Sequence, residues 1–447
     1  FEDAIRLIDA ARVPDAFAPL RALCWRFDHV AVQLPTVTDG QAAELASRVV
    51  NVLAEAGDVA RDVQQSLAND GQIDQAEAAA LEVDIDEAVA SISGSVEGAE
   101  RMAGHTIRAA FIAVDGKHIS SLNSHGVVAI PPGNPEITPA DVERVTEAAR
   151  AVSLPSSREI IHVLARGFTV DSQEGVNDPV GMSGVRMEVE TNIISGATTV
   201  MRNLVKCVQQ VGIDVEDVVF CGLASAEAVL SDTEKELGCV LVDIGGETTQ
   251  ILIFLRGNPL YASVLPIGSA NVTNDIAIGL RVSLEDAEKI KIKLSNGKLK
   301  PKEEKKDEID ISELGFELQT VPLSLVQSII EARLSEIFSL VGLEIKNSGQ
   351  QGNLPAGLIV TGGGVQTLGL KEVARKSLRL PLRIGSPTGV TGLIEEISNP
   401  VHATAIGLVL YGSYLEPGEA FHLPAIDTKR VSQVFGRVVE WGRSFLP

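Results

Sequence analysis

Basic residues are scarce in this chain: 38 Lys and Arg stand against 60 Asp and Glu in 447 residues, a formal net charge of −22. Phosphate backbones are gripped by clustered Lys and Arg, so this balance speaks against a nucleic-acid partner. Any attraction to an anionic membrane has to come from a local basic patch. Cysteine is scarce too: Cys24, Cys207, Cys221 and Cys239 are scattered without paired or metal-type spacing, which fits free buried thiols in a reducing compartment. The seven histidines form no HxH or HExxH arrangement, so no metal site of that kind is expected. No apolar run reaches the roughly 18 residues of a transmembrane helix. The opening segment carries acids early, unlike a signal peptide, and a cytosolic chain is expected.

What is present is enough for a sizeable core. Hydrophobic residues make up 45% and charged residues 22%, in a chain long enough for two to four domains. Residues 1–82 are Ala-rich, with apolar positions at helical period, and read as helical. Asn69 to Ile73 breaks the pattern before a further helix from Asp74. From Ile107 the texture turns to β-rich runs separated by Asp-Gly and Ser-His-Gly turns. Thr138-Pro139-Ala140-Asp141 offers an N-cap, a proline at the first helical position and an acid at the third. From about 160 to 265, strands alternate with helices, which predicts an α/β sheet with both faces covered. The charged stretch 292–311 reads as a solvated loop.

Two Gly-rich turns have the composition of phosphate-binding loops. Asp243, Gly245, Gly246, Thr248 and Thr249 sit at the tip of a predicted buried hairpin. Glycines let backbone N–H groups approach phosphate oxygens, threonine hydroxyls donate, and Asp243 can hold Mg²⁺ through water. A tight buried turn would use the same residues. Thr361, Gly362, Gly363 and Gly364 follow a hydrophobic strand and are expected to open a helix, leaving bare backbone for a phosphate or planar group. Between the two turns, Glu288 and Lys291 lie three apart on a predicted helix, spaced to grip a ribose or to form an ordinary ion pair.

The tail has a distinct chemistry. Val431, Val434, Phe435, Val438, Trp441, Phe445 and Leu446 recur at three- and four-residue spacing, while Lys429, Arg430, Arg437 and Arg443 face one acid, Glu440. A basic amphipathic helix with Trp and Phe in its apolar face suits a membrane interface. Docking on the protein's own body is the competing use of such a stripe.

The order of these segments resembles the actin/Hsp70 nucleotide-binding superfamily: DIGGETT at 243–249, the Ile267–Lys291 stretch, TGGG at 361–364, then NPVHATAIGLVL at 399–410. Within it, residues 96–130, 168–190 and 223–238 resemble the bacterial cell-division family FtsA, and the likeness runs from about Val83 to the C-terminus. The resemblance implies an actin-like α/β fold with an FtsA-type 1C subdomain at 83–165. It places the rest of subdomain 1A at 166–238 with 396–425, 2A at 239–265 with 346–395, 2B at 266–345, and a membrane-targeting helix at 426–447. It implies ATP and Mg²⁺ as ligands, with Asp243 to Thr249 at the β- and γ-phosphates, Glu288 and Lys291 at the ribose, and Gly362 to Gly364 under the adenosine. Val434, Phe435, Arg437, Val438, Trp441, Arg443, Phe445 and Leu446 would bind the anionic inner membrane. FtsZ and further copies of the chain would be the partners, at the cytoplasmic side of the division septum.

Several features depart from that pattern. Glu247 stands where the family has a third glycine, and no Asp-Xaa-Gly-Thr phosphate loop precedes Val83. Residues 1–82 resemble nothing in FtsA, whereas residues 51–81 resemble small phage regulatory proteins. Gly222 to Ser225, where relatives position an attacking water, contain no general base, so at best a slow ATPase is expected. Alternative readings are a PilM-type pilus-assembly adaptor and a nucleotide-free chimera lacking the first phosphate loop.

Overall fold

The computed structural model describes residues 30–32, 75–131, 133, 136–297, 308–310, 320–390 and 397–414. Most of the predicted helical head and all of the amphipathic tail lie outside these residues.

Three sheets organise the body. The first has order β1-β2-β7, formed by Val30–Val32, Ala109–Val114 and Asp214–Phe220, with β2 and β7 parallel and β1 antiparallel to β2. The second has order β10-β9-β8-β13-β14, formed by Asn258–Leu265, Thr249–Leu255, Cys239–Ile244, Gly357–Thr361 and Leu382–Ile384. Its centre is mixed: β8 runs antiparallel to β9 and parallel to β13. The third has order β3-β6-β4-β5, from Ser120–Ala129, Arg186–Ala197, Arg158–Val170 and Gln173–Val176. A short pair, β11 (Glu308–Asp310) and β12 (Thr320–Pro322), completes the strands among the described residues.

Helices cover these sheets in chain order. They are α1 (Gln75–Ala103), α2 (Pro139–Arg150), α3 (Thr198–Gln210), α4 (Cys221–Val229) and α5 (Asp232–Leu237). Then come α6 (Ser269–Leu280), α7 (Leu284–Ser295), α8 (Leu323–Asn347), α9 (Leu370–Leu378) and α10 (Ala403–Tyr414). The expected cap of α2 is formed: Asp141 accepts from the backbone N–H and the hydroxyl of Thr138.

Strand β8 shows why the middle of the chain is so apolar. Its side chains alternate between two cores, Cys239 and Leu241 on one face, Val240, Val242 and Ile244 on the other. A strand buried on both faces needs a continuous hydrophobic run. The first core also takes in Ile92, Ile112, Phe220 and Leu223, so α4 carries it from the first sheet to the second. Helices α4 and α10 cross at contact distance, since a Cβ on Gly407 would collide with the carbonyl of Ala224.

Three details differ from the sequence reading. Val30–Val32 is a strand inside a segment read as helical, because β2 offers it an edge to pair with. Strand β4 spans residue 165, the expected subdomain boundary, and its pairing with β6 shifts register there, between Ala165 and Gly167. Gly362 to Gly364 do not open a helix: Gly363–Gln366 is a single 3₁₀ turn, and α9 begins at Leu370.

Candidate functional site

The Gly-rich turn of the β8–β9 hairpin is closed by the Gly245 N–H donating to the Thr248 carbonyl at 2.9 Å. Helix α6 docks on this turn with its first N–H groups: Ser269 donates to Gly245 O at 3.0 Å and Ala270 to Gly246 O at 2.7 Å. The carbonyls of the turn thus occupy donors that a helix start otherwise leaves free. Gly268 is needed there, because a Cβ would collide with the Gly246 carbonyl.

The second turn lies against the same strand end. A Cβ on Gly362 would collide with Asp243 Oδ1, and one on Gly364 with Ile244. Gly362 also has φ +85°, in the left-handed region. These two glycines therefore serve close packing of the β13 turn on β8. The structure brings Asp243, Gly245, Gly246, Thr248, Thr249 and Gly362 to Gly364 to one end of the second sheet. Of these, Thr249 turns inward, its hydroxyl bonded to Ile267 O at 2.7 Å.

Glu288 and Lys291 sit on one face of α7, as the spacing predicts, and both are buried. Lys291 Nζ lies 2.7 Å from Glu288 Oε2 and donates to Thr273 Oγ1 at 2.7 Å and Ser269 O at 3.2 Å. The Thr273 hydroxyl donates to the same Glu288 oxygen. The pair thus ties α7 to α6, directly behind the phosphate-type turn. Burial pulls the Lys291 pKa down while the Glu288 carboxylate pulls it up. Glu288 Oε1 and Ser269 Oγ are buried without a protein partner, which leaves polar capacity for a ligand hydroxyl.

Asp243 is only 6% exposed. Ser225 Oγ of α4 donates to its Oδ2 at 2.6 Å, and Thr404 Oγ1 of α10 lies 2.8 Å from the Ser225 hydroxyl. Burial raises the Asp243 pKa to about 6, the Ser225 bond opposes this, and the nearby charge of Asp115 adds to it. Glu227, two residues beyond Ser225 on α4, is paired with Lys235 Nζ at 2.9 Å.

Asp115 is the member of this site that sequence reading missed. It follows β2, in a stretch assigned to the inserted subdomain, and accepts a hydrogen bond from Thr248 Oγ1 of the phosphate-type turn. Only the Asp-Gly dipeptide, read as an ordinary turn, marked it in the sequence.

The donors present fit a hydrated magnesium ion and a phosphate chain. Asp243 and Asp115 supply hard oxygen atoms, while the hydroxyls of Thr248 and Thr249 donate to Asp115 and to the Ile267 carbonyl. The described residues hold no cluster of three or more His, Cys, Asp or Glu suited to a metal. No described helix is long and apolar enough to cross a membrane.

Comparison with known proteins places this geometry. The family model described as cell division protein FtsA matches residues 240–407, and that of the SHS2 domain inserted in FtsA matches 116–195. A model of phage regulatory protein CII matches residues 1–102, over the head and most of α1. Cell division protein FtsA of Pseudomonas aeruginosa is 40% identical over 331 residues, 74% of this chain and 79% of the relative. FtsA of Bacillus subtilis is 39% identical, covering 74% and 73%, and FtsA of Escherichia coli 34%, covering 74% and 80%. Among solved structures, a PilM-PilN type IV pilus biogenesis complex aligns with TM-score 0.52 over 74% of this chain and 86% of that one, at 18% identity, a likeness of fold alone. The fold is α/β and actin-like, and the chain belongs to the FtsA family of cell-division proteins.

Proposed function

We propose that the chain is a divisome adaptor that binds Mg-ATP at the paired turns, self-associates, and tethers FtsZ polymers to the cytoplasmic membrane. The observation that carries this reading is the meeting of the Asp243–Thr249 turn, the Gly362–Gly364 turn and the Glu288–Lys291 pair around one end of β8, in a chain 34–40% identical to FtsA proteins. In it, Gly245, Gly246 and Thr248 hold the phosphates, Asp243 holds Mg²⁺ through water, Glu288 and Lys291 take the ribose, and Gly363 with its neighbours carries the adenosine. The bound magnesium supplies charge neutralisation of the phosphates. Ser225 is engaged by Asp243 and Glu227 by Lys235, so no residue of α4 is free to orient a water, and turnover is slow.

The proposal gives the subdomain assignment its use. A 2B unit at 266–345 receives FtsZ, and the basic amphipathic segment with Val434, Phe435, Arg437, Val438, Trp441, Arg443, Phe445 and Leu446 enters the anionic leaflet. One short helix binds reversibly, and a polymer multiplies the tails. The test is calorimetry of Mg-ATP with the full chain and Asp243→Ala, beside sedimentation of the chain with anionic liposomes, with and without residues 429–447. Binding lost in each variant supports the adaptor. Unchanged liposome binding by the truncated chain removes the tether, and absence of ATP binding leaves a nucleotide-free adaptor.

A further inference from the structure

The sheets of this chain end in edges of different kinds. Strands β1 and β14 are three residues long, β5 is four, and β10 carries Pro259 and a bulge between Pro259 and Tyr261. Short strands, prolines and bulges keep an edge from pairing with another chain. Strand β3, the outer strand of the third sheet, has none of them. It is ten residues long, contains no proline, and pairs with β6 in one unbroken register from Ser120 to Ala129.

The parity of that ladder fixes which backbone groups face outward. Ile130 donates to Val185 O at 2.8 Å in continuation of the same register, so the even-numbered residues of β3 bond to β6. Ser121, Asn123, His125, Val127 and Ala129 direct their N–H and C=O groups away from it. The Ser121 hydroxyl reaches Ala262 O of β10, and Ala129 O accepts from Arg144. Between these two ends, the backbone groups of Asn123, His125 and Val127 meet no partner among the described residues. All three residues are exposed, Val127 by 42%. The strand is also held in place from behind. Helix α2 packs so closely that a Cβ on Gly126 would collide with the Val145 carbonyl, and Ser124 Oγ donates to Ala149 O at 2.7 Å.

The chemistry of the strand points to its occupant. In a chain of net charge −22, the residues of β3 include no Asp, Glu, Lys or Arg. The acids beside it on β6 are already paired, Glu188 with His125 at 2.8 Å and Arg186 at 3.0 Å, and Glu190 with Arg166 at 3.7 Å. Two copies of so acidic a chain repel one another through their net charge, and this edge adds no like-charge contact to that repulsion. Identical strands related by a two-fold axis pair antiparallel, and the outward groups of β3 can bond in that arrangement.

We propose that the β3 edge from Asn123 to Val127 is a docking surface for the same edge of a second copy, joining two four-stranded sheets into one of eight strands. The contact is isologous and closes at two copies. It needs no nucleotide, which separates it from an ATP-linked polymer.

The test is sedimentation equilibrium and amide hydrogen exchange of the nucleotide-free full chain over a range of concentrations, with Val127→Lys and Val127→Pro. The lysine sets like charges against each other across the two-fold, and the proline removes only an outward N–H. The wild type should dimerise, and the amides of Asn123, His125 and Val127 should gain protection as the dimer forms. Both variants should weaken the dimer roughly tenfold or more. Val127→Lys changes one exposed side chain, so the test holds even where the proline variant does not fold. A monomeric wild type, or a dimer equally stable in Val127→Lys, would overturn the contact. Protection of these amides that does not vary with concentration would overturn it too, since a segment of the same chain would then cover the edge. A dimer with these properties in a chain that takes no ATP upholds the edge and removes only the nucleotide.

Discussion

Ser225 on α4 donates its hydroxyl to Asp243 on β8 at 2.6 Å, and this bond ties the helix following the first sheet to the central strand of the second. Thr404 of α10 lies 2.8 Å from the same hydroxyl, so both helices between the sheets meet at one aspartate. Ser225→Ala leaves a buried carboxylate short of a donor, which costs about 1–3 kcal/mol. The variant should unfold at lower urea and bind Mg-ATP more weakly. Thr404→Val, which keeps the Ser225 bond, should lose less in both measurements.

Gly362→Ala should be far more damaging than an ordinary loop substitution. The new methyl would collide with Asp243 Oδ1 and Ile244 O at a backbone angle of +85°. Strain and a displaced carboxylate together are expected to exceed the roughly 1 kcal/mol of a typical point change. Gly133→Ala, where nothing lies within 4 Å of the new methyl, serves as control and should leave the thermal midpoint unchanged.

The sequence exposed most of this site because its signals are local. The run Cys239–Ile244, the Gly-rich turn and Thr249–Leu255 announce a hairpin buried on both faces, and β8 and β9 form it. Glu288 and Lys291 share a helix face by spacing alone. Asp115 stayed hidden because its role comes from a contact with Thr248, 133 residues away, that no local pattern encodes. The purpose of Gly362 and Gly364 was hidden for the same reason: whether a bare backbone faces a ligand or a neighbouring strand depends on where β8 lies. Helix α1 illustrates a third case. Its buried Ala88, Ile92 and Ala99 face the core, yet in sequence they continue the Ala-rich texture of the head.

Asp217 should make stability fall as pH rises. It accepts from the Val218 N–H at 2.8 Å and from Tyr411 Oη at 3.2 Å, but burial outweighs both and raises its pKa from 3.8 to about 6. The folded state therefore holds this proton more tightly than the unfolded chain. The group's contribution is full below about pH 4 and lost as pH rises through about 6. Asp217→Asn removes the ionisation. Relative to wild type it should gain on the order of 2–3 kcal/mol at pH 7.5 as an upper limit, with the gain vanishing near pH 4. Guanidinium denaturation across this range checks the slope, and a gain independent of pH would assign the effect to packing.

The Glu288–Lys291 pair allows its structural role to be separated from a role at the ribose. Both side chains are buried and share Thr273, so removing one charge strands the other. Lys291→Met alone should cost about 3–5 kcal/mol, the usual penalty for an uncompensated buried charge. Pairing it with Glu288→Gln removes that penalty, and the double variant should recover most of the lost stability. ATP affinity should not follow. If the pair also contacts a ribose, through Glu288 Oε1 in particular, the double variant regains its fold but remains weak for ATP, with adenosine recognition lost more than that of inorganic triphosphate. Recovery of affinity together with stability would make the pair a brace between α6 and α7 and nothing more. Chemical denaturation and calorimetry on the same four proteins of the cycle decide between these outcomes.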